Sequence, residues 1–243
     1  MVNKTMLFPL SPLKSLAKQR AQIVKQRNHL SPQIYRLLNV PLPDPSEDVR
    51  AQTLISLDFE TTGFNPKQDQ IISVGWVPIT QNVIQLSGAQ HFLVKSLSKK
   101  NNQQAVIHHI LPEMQQQGIS LKRIIDILFE QLVGKVVLAH GSVIERQFLA
   151  HYTQQQGWPN LPLIWLDTLK IEQTYSRYSV RPYSKPKDDW RLSKLRKCYC
   201  LPSYQAHHAL SDAIATAELY LAQLQRLFAT EHVPIERLMR ASL

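Results

Sequence analysis

The feature that most restricts the fold of this chain is an apolar run that ends in two carboxylates. Residues Leu54 to Leu57 lead directly into Asp58-Phe59-Glu60, and Thr61-Thr62-Gly63 follows. Short apolar runs closed by a turn are typical of buried β-strands. Residues i and i+2 of a strand point to the same face, so Asp58 and Glu60 are expected to project together near the strand end. Two such charges are unfavourable unless a cation neutralises them, and hard oxygen ligands suit Mg²⁺ or Mn²⁺.

The segments after residue 53 predict an α/β fold. Apolar runs predict five strands, at residues 54–60, 71–78, within 83–94, 135–139 and 163–166. Amphipathic or apolar spacing predicts helices at 121–132, from the end of the fourth strand to about 155, at 190–198 and at 210–228. Three strands come first, strands and helices then alternate, and helices come last. This order predicts a mixed five-stranded sheet that is flanked by helices.

Residues 1–52 differ from the rest of the chain and are predicted to be a basic, helical N-terminal extension with a linker. Residues 1–43 contain seven Lys or Arg and no acidic residue. Apolar residues recur at roughly helical spacing between Leu13 and Val24, which predicts one or two amphipathic helices. Prolines at 41, 43 and 45 then interrupt the chain. The remaining divisions are a domain at 53–229 and a C-terminal tail at 230–243.

The charge of the chain indicates a polyanionic partner. The net charge is +10, and residues 1–43 supply +7 of it. A second basic run at 181–197 has seven Lys or Arg against two Asp and also contains aromatic residues. Cations among aromatic side chains suit a single nucleic-acid strand, because they bind phosphates and stack on bases. Solvated basic faces are also common, so charge alone does not decide between the two interpretations.

Cysteine content and hydropathy restrict the environment of the protein. Cys198 and Cys200 are one residue apart, a spacing that fits neither a disulfide framework nor a four-ligand zinc site. They indicate a reducing compartment. No apolar stretch approaches the roughly 20 residues that a membrane helix needs. A cytoplasmic protein without a membrane partner is expected.

A second group of candidate functional residues lies before the last long helix. Asp212 is near the start of that helix, where an aspartate usually serves as a cap. His207 is five residues earlier in the loop that leads into the helix. Asp212 could instead complete a metal site, with His207 placed to take a proton from water. Histidine suits this role because its pKa lies near neutrality.

These segments resemble the motifs of a known family. The segment Leu57 to Gly63 is similar to the first motif of the DnaQ-like (DEDDh) 3′–5′ exonucleases, which include the DNA polymerase III epsilon type. The segment His207 to Ala217 is similar to their third motif, H-x₄-D followed by an alanine-rich helix. Val137 to Gly141 resembles the strand and turn before their second motif. The resemblance covers residues 53–228, with the motifs in the family's order.

The second motif departs from the family pattern. The family has an aspartate here, whereas this chain has Glu145 at the matching position of the segment Val143 to Leu149. Glutamate carries the same charge on a side chain that is one methylene longer. The resemblance therefore implies Glu145 as the fourth carboxylate, although an ordinary helix-surface glutamate would look the same. Asp167 is the alternative candidate for the fourth carboxylate, but the resemblance implies a structural role for it.

The resemblance also implies substrate contacts. Thr61, Thr62 and Gly63 are expected to line the pocket of the terminal nucleotide. His108 lies in a segment, Ala105 to Ile110, that is similar to the family's A-x-x-x-H-x-I loop, which contacts that nucleotide. A solvated loop histidine is the alternative for His108.

The fold implied by the resemblance is ribonuclease H-like, and the implied reaction is a two-metal hydrolysis. Asp58, Glu60, Asp212 and Glu145 would hold two Mg²⁺ or Mn²⁺ ions, with Asp58 shared between them. His207 would deprotonate the attacking water. The products would be nucleoside monophosphates that are released one at a time from nucleic-acid 3′ ends.

Three interpretations of the substrate and activity remain open in the sequence. Single-stranded DNA, in proofreading or repair, is favoured. RNA trimming by the same chemistry is the first alternative, because recognition of the 2′-hydroxyl depends on pocket shape. The second is a nucleic-acid-binding module with weak catalysis. The N-terminal extension is a candidate docking segment for a polymerase or another protein.

Overall fold

The computed structural model describes residues 11–25, 30–95, 112–176 and 189–243. The helices of this part are α1 Pro12–Lys25, α2 Pro32–Asn39, α3 Pro112–Gln116, α4 Leu121–Gln131, α5 Val143–Gln155, α6 Thr168–Tyr175, α7 Leu192–Cys198, α8 Ala209–Gln223 and α9 Ile235–Ala241. The strands are β1 Leu54–Thr61, β2 Ile71–Thr80, β3 Val83–Ile84, β4 Gln90–Leu93, β5 Val136–Ala139 and β6 Trp165–Asp167. Helix α8 continues into one π-helical turn, Leu224–Phe228.

The strands form one mixed sheet with β1 at its centre. The order is β3-β2-β1-β5-β6, and β4 also pairs with β2. Strand β1 is antiparallel to β2 and parallel to β5, which is parallel to β6. The described sheet has six strands rather than the five expected, because the segment 83–94 forms two short strands separated by a 3₁₀ turn. The predicted α/β class with a mixed sheet flanked by helices is confirmed.

The edges of the sheet are short or covered. Strand β3 has two residues and β6 has three. Along the outer side of β4, the segment around Ile119 continues the pairing: Ile119 N–H donates to the Leu93 carbonyl and accepts from Lys95 N–H through its own carbonyl. These edges therefore leave few unpaired backbone groups within the described residues.

Side chains along β1 point alternately to the two faces of the sheet, and each face packs against its own core layer. Ile55, Leu57 and Phe59 pack into the layer that contains α2, α4 and α5. Leu54 packs into the opposite layer, with residues of α6, α8 and α9. The hydroxyl of Ser56 faces that second layer and donates to the carbonyl of Ala213 in α8, at 2.7 Å. By the same alternation, Asp58 and Glu60 point towards the side that α8 covers.

The two N-terminal helices pack against the core. Leu13 of α1 and Ile34, Leu37 and Leu38 of α2 are all buried. Helix α2 begins with Ser31 as its N-cap, whose hydroxyl accepts from Ile34 N–H. The described part of the extension is therefore packed against both core layers.

Two basic residues that contribute to the net positive charge of the chain are buried. Arg20 of α1 donates through Nε to the carbonyl of Pro162 at 3.0 Å, and burial lowers its pKa to about 10. Arg196 of α7 is 2% exposed and donates to two backbone carbonyls. These cations stabilise the fold, and a phosphate in solution does not reach them.

The segment 230–243, expected as a C-terminal tail, contains α9. Ile235, Leu238 and Met239 are buried against the second core layer. The hydroxyl of Ser242 accepts from the backbone N–H of Asp167 at 2.9 Å. The C-terminal helix therefore supports the end of β6. Among the residues that the structure describes, no helix is both long and apolar enough to cross a bilayer.

We predict that Leu37→Ala destabilises the whole protein, because Leu37 is 1% exposed within the main core layer. Truncation of a buried leucine costs about 2–5 kcal/mol. Leu86→Ala is the matched control, since Leu86 is 62% exposed. Urea unfolding should show one transition with a lowered midpoint for Leu37→Ala and a nearly unchanged midpoint for Leu86→Ala. Equal midpoints would mean that α2 is not part of the cooperative core.

Candidate active site

The first two carboxylates lie where sequence alternation predicts them, near the C-terminal end of the central strand. Asp58 is partly exposed and Glu60 is buried. In the ladder with β2, Asp58 pairs with Gly75 and Glu60 pairs with Ser73. The register shifts directly after Glu60, where the strand passes into the Thr62-Gly63 turn. The two side chains therefore share one face of the sheet, at the point where regular pairing changes.

The start of α8 approaches this position because Gly75 has no side chain. A Cβ on Gly75 would lie 2.2 Å from the backbone nitrogen of Leu210 and 2.4 Å from the carbonyl carbon of Ala209. Both neighbours are backbone atoms, so no side-chain rotation relieves the contact. The N-terminus of α8 thus rests on β2 directly beside Asp58, which brings Asp212 to the first pair.

Three carboxylates converge at this contact. One oxygen from each of Asp58, Glu60 and Asp212 lies within 4.8 Å of the other two. Burial raises the pKa of Asp58 well above its usual range, and the charges of Glu145, Asp212 and Glu60 add to this effect. Burial also raises the pKa of Asp212, although hydrogen bonds from Tyr204 and from the His208 backbone oppose the shift.

Glu145 lies outside the group of three whose oxygens approach within 4.8 Å, but it is near enough for its charge to act on Asp58. It lies in the first turn of α5, which follows β5, the parallel neighbour of β1, so both approach the same edge of the sheet. Its side chain is 4% exposed, and Oε2 has no hydrogen-bond partner. Burial raises its pKa to about 8, opposed by backbone N–H donors that include Phe59 and reinforced by the charges of Asp167 and Glu60. The structure thus excludes a solvated surface position for Glu145.

The carboxylate of Asp167, the alternative fourth ligand, already accepts hydrogen bonds from neighbouring residues. One oxygen accepts from the N–H groups of Gly141 and Leu169, and the other accepts from the N–H and the hydroxyl of Ser142. These contacts cap α6 and fix the turn before α5. Asp167 therefore orients the helix that carries Glu145, and its own lone pairs are largely used.

His207 lies at the entrance to α8 and is exposed. Its backbone φ is +64°, a left-handed conformation that few non-glycine residues adopt. It is close enough to Asp212 for a positive charge on its ring to favour the ionised carboxylate. His208 caps the helix and stacks on His91, with ring centroids 4.3 Å apart. His208 therefore holds the C-terminal side of the turn that presents His207.

The Thr-Thr-Gly turn is closed by its own hydrogen bonds. The hydroxyl of Thr61 donates to the Gly63 carbonyl at 2.7 Å, and that of Thr62 donates to Asp69 at 3.2 Å. Phe64, which follows the turn, is 81% exposed. The segment that contains His108 lies outside the described residues, as do residues 181–188 of the second basic run.

Sequence reasoning missed several residues that form this site. Tyr204 donates a hydrogen bond to Asp212, Gly75 permits the helix approach, and Phe64 presents an exposed ring beside the turn. The position of Phe64 directly after the first motif is a signal that the sequence did offer. Tyr199, which closely follows the second basic run, is buried, and its hydroxyl donates to Glu172 at 2.6 Å, so it is not available for base stacking.

The residues of the cluster fit a divalent cation. All four charged groups supply carboxylate oxygens, the donors that Mg²⁺ and Mn²⁺ prefer. The close approach of Asp58, Glu60 and Asp212 and the unpartnered Oε2 of Glu145 both indicate missing positive charge. Asp58, Glu60, Asp212 and Glu145 are therefore candidates to hold the metal.

We predict that Glu145→Gln changes the pH dependence of stability in metal-free protein. The pKa of Glu145 is raised to about 8 in the folded state, so between about pH 5 and 8 the folded state binds more protons than the unfolded state. Stability of the wild type should therefore fall as pH rises through this window. In Glu145→Gln this part of the fall should be absent.

Thermal melts in EDTA between pH 5 and 8.5 measure this effect. For a chain of this size, about 1 kcal/mol in the free energy of unfolding corresponds to ~2–4 °C in melting temperature. Between pH 5 and pH 8, the melting temperature of the variant should rise by at least that amount relative to the wild type. Parallel curves for the two proteins would contradict the assignment of Glu145 to the buried cluster.

Comparison with known proteins places the chain among exonucleases. Residues 55–220 match the family described as RNase_T: Exonuclease. A DNA polymerase III PolC-type of Thermotoga petrophila is 27% identical over 169 residues, which are 70% of this chain and 12% of the relative. A 3'-5' exonuclease DinG of Staphylococcus haemolyticus is 27% identical over 75% of this chain and 19% of the relative. The chain thus spans less than a fifth of the length of these relatives.

Solved structures share the fold. E. coli Exonuclease I in complex with a dT13 oligonucleotide superposes with a TM-score of 0.59 at 16% identity, over 72% of this chain and 41% of that chain. Exonuclease X in complex with 5' overhanging duplex DNA superposes with a TM-score of 0.58 at 19% identity, over 78% of this chain and 99% of that chain. The family match includes β5, α5 and most of β1 and α8, the elements that carry the first, second and third motif segments. The chain therefore belongs to the exonuclease family described as RNase_T, the DnaQ-like exonucleases that its motifs resemble.

Proposed function

We propose that this protein is a metal-dependent 3′–5′ exonuclease that releases nucleoside monophosphates from nucleic-acid 3′ ends, with DNA as the preferred substrate. The observation that carries the proposal is the convergence of Asp58, Glu60 and Asp212, with Glu145 buried beside them. An acidic cluster of this kind costs stability, and metal-dependent phosphodiester hydrolysis gives it a use.

Asp58, Glu60, Asp212 and Glu145 would hold the divalent ions, with Asp58 central because all three other charges act on it. Bound Mg²⁺ or Mn²⁺ supplies Lewis-acid stabilisation of the phosphate oxygens and lowers the pKa of water. The two-ion stoichiometry is part of the proposal and rests on the resemblance. The role of the four carboxylates is to fix where positive charge sits relative to the 3′ end.

His207 is the proposed general base. It is exposed at the entrance of α8, beside Asp212, where it meets solvent and substrate. The left-handed backbone at this residue turns the chain sharply before the helix begins. A histidine on this turn can accept a proton from water at the edge of the cluster and pass it to solvent.

The surroundings of the cluster suit a single strand. Phe64 offers an exposed aromatic face next to the Thr61–Gly63 turn, and base stacking on such rings is worth about 1–3 kcal/mol. Lys194 and Lys197 are exposed on α7, which packs against α8, the helix that carries Asp212. They can neutralise phosphates upstream of the 3′ end.

The preference for DNA is supported by the comparisons. A matched relative is a DNA polymerase III, and the superposed Exonuclease I and Exonuclease X structures contain DNA. The described residues do not include His108, so the terminal nucleotide pocket is proposed from the Thr61–Gly63 turn alone. A polymerase or other protein that docks on the N-terminal extension stays a prediction.

We predict that Asp58→Asn abolishes cleavage, because it removes the central charge of the cluster without changing side-chain shape. Wild type and variant would be incubated with 5′-labelled DNA and RNA of one sequence, with Mg²⁺, Mn²⁺ or EDTA. We expect a metal-dependent ladder that shortens from the 3′ end, stronger on DNA, and no ladder from the variant. EDTA-resistant cleavage, or tight binding with no ladder in any metal, would overturn the proposal, and a ladder on RNA alone would overturn the substrate preference.

We predict that His207→Asn slows cleavage by ~10²–10⁴-fold, as expected for loss of a general base. Asparagine tolerates a left-handed backbone, so the turn at φ +64° should be retained. Single-turnover rates at saturating Mn²⁺ would measure the effect, with His151→Asn, an α5 residue outside the cluster, as the control. A His207→Asn rate within a few-fold of wild type would remove His207 from the mechanism.

A further inference from the structure

Both oxygens of Asp212 are held by donors from the loop that precedes α8. The hydroxyl of Tyr204 donates to Oδ1 at 2.8 Å, and the backbone N–H of His208 donates to Oδ2 at 3.0 Å. Each carboxylate oxygen has two acceptor positions, so one on each oxygen remains for a cation. The orientation of the carboxylate is therefore set before any ion binds.

Tyr204 is itself fixed by a buried cation. The guanidinium of Arg196 lies over the Tyr204 ring, 5.0 Å from its centroid. Arg196 donates to the carbonyls of Ala215 and Pro202 at 2.8 and 2.9 Å, and its Nη2 lies 2.7 Å from a Glu218 oxygen. The planar fork of this arginine thus joins α7, the loop before Tyr204 and α8.

The Tyr204 hydroxyl remains a donor at neutral pH. The side chain is half-buried. Burial raises the pKa of the phenol well above its usual range, and the charge of Asp212 raises it further. A second tyrosine makes a comparable contact away from the cluster: Tyr199 donates to Glu172, a buried carboxylate that joins α6 to α8 through Gln223.

We propose that Tyr204 is a positioning residue for the metal site, which orients the Asp212 carboxylate through its hydroxyl while Arg196 holds its ring in place. The terminal torsion of an aspartate is soft and roughly two-fold, so without this bond the carboxylate can rotate out of the cluster. Hydrogen-bond partners of metal ligands typically change metal affinity by 10–100-fold. This inference rests on the proposed function, because it assigns Tyr204 a supporting role within the proposed metal site.

The test is Tyr204→Phe in the full chain, which removes one hydroxyl and leaves the ring against Arg196. Mn²⁺ binding would be measured by electron paramagnetic resonance of the free ion, without substrate. We expect ~10–100-fold weaker Mn²⁺ binding, and a similar rise in the Mn²⁺ concentration for half-maximal cleavage. Cleavage at saturating Mn²⁺ should recover to within a few-fold of wild type.

Tyr199→Phe is the matched control, since it also removes a phenol hydroxyl from a buried carboxylate. We expect Tyr199→Phe to lower the melting temperature about as much as Tyr204→Phe does, without changing Mn²⁺ affinity. Wild-type Mn²⁺ affinity in Tyr204→Phe, or equal losses in both variants, would overturn the inference. So would a loss of maximal rate with unchanged affinity, because that result assigns Tyr204 to the chemistry rather than to the metal site.

The outcomes separate this inference from the proposed function. If the wild type binds Mn²⁺ in a Tyr204-dependent manner but cuts no nucleic acid, the exonuclease proposal fails and the positioning role stands. If the wild type cuts from 3′ ends and Tyr204→Phe retains its Mn²⁺ affinity, the positioning role fails and the exonuclease proposal stands.

Discussion

The contact between the start of α8 and Gly75 is the constraint on which the rest of this site depends. Backbone meets backbone at a distance that leaves no room for a Cβ, directly across the ladder from Asp58. Residues 58 and 212 are far apart in sequence, and this contact turns them into neighbours. The hydroxyl of Ser56, bonded to the Ala213 carbonyl, fixes the same helix to β1 one turn further along. Strand and helix therefore act as one rigid support for the cluster.

The cluster carries a cost that its surroundings offset only in part. The charges of Asp58, Glu60, Asp212 and Glu145 repel one another in a partly desolvated place. Neutral donors reduce the cost: N–H groups of Phe59 and His208 and the hydroxyl of Tyr204 each favour a carboxylate. Among the described residues, the oxygen Oε2 of Glu145 has no hydrogen-bond partner, so this carboxylate keeps negative charge available.

Sequence reasoning recovered the elements with strong periodicity and the motifs that begin or end them. Strands β1 and β2 and helices α4 and α8 lie within a few residues of their predicted bounds, because apolar spacing there is regular. The short helices α3, α6 and α9 were missed, since each has too few turns to show a period. Tyr204 and Gly75 were also missed, because their importance arises from tertiary contacts. The second motif, with Glu145 in place of an aspartate, was assigned by resemblance and stays a prediction, and the burial of Glu145 was visible only in the fold.

The short and covered edges of the sheet have a consequence for assembly. An exposed strand offers a template on which another chain can add a strand of its own. Here β3 and β6 are too short for this, and the outer side of β4 is already paired with the segment around Ile119. Within the described residues, contacts with another protein would therefore use helix side chains and loops. Such surfaces can diverge among relatives without disturbing the sheet that holds the carboxylates.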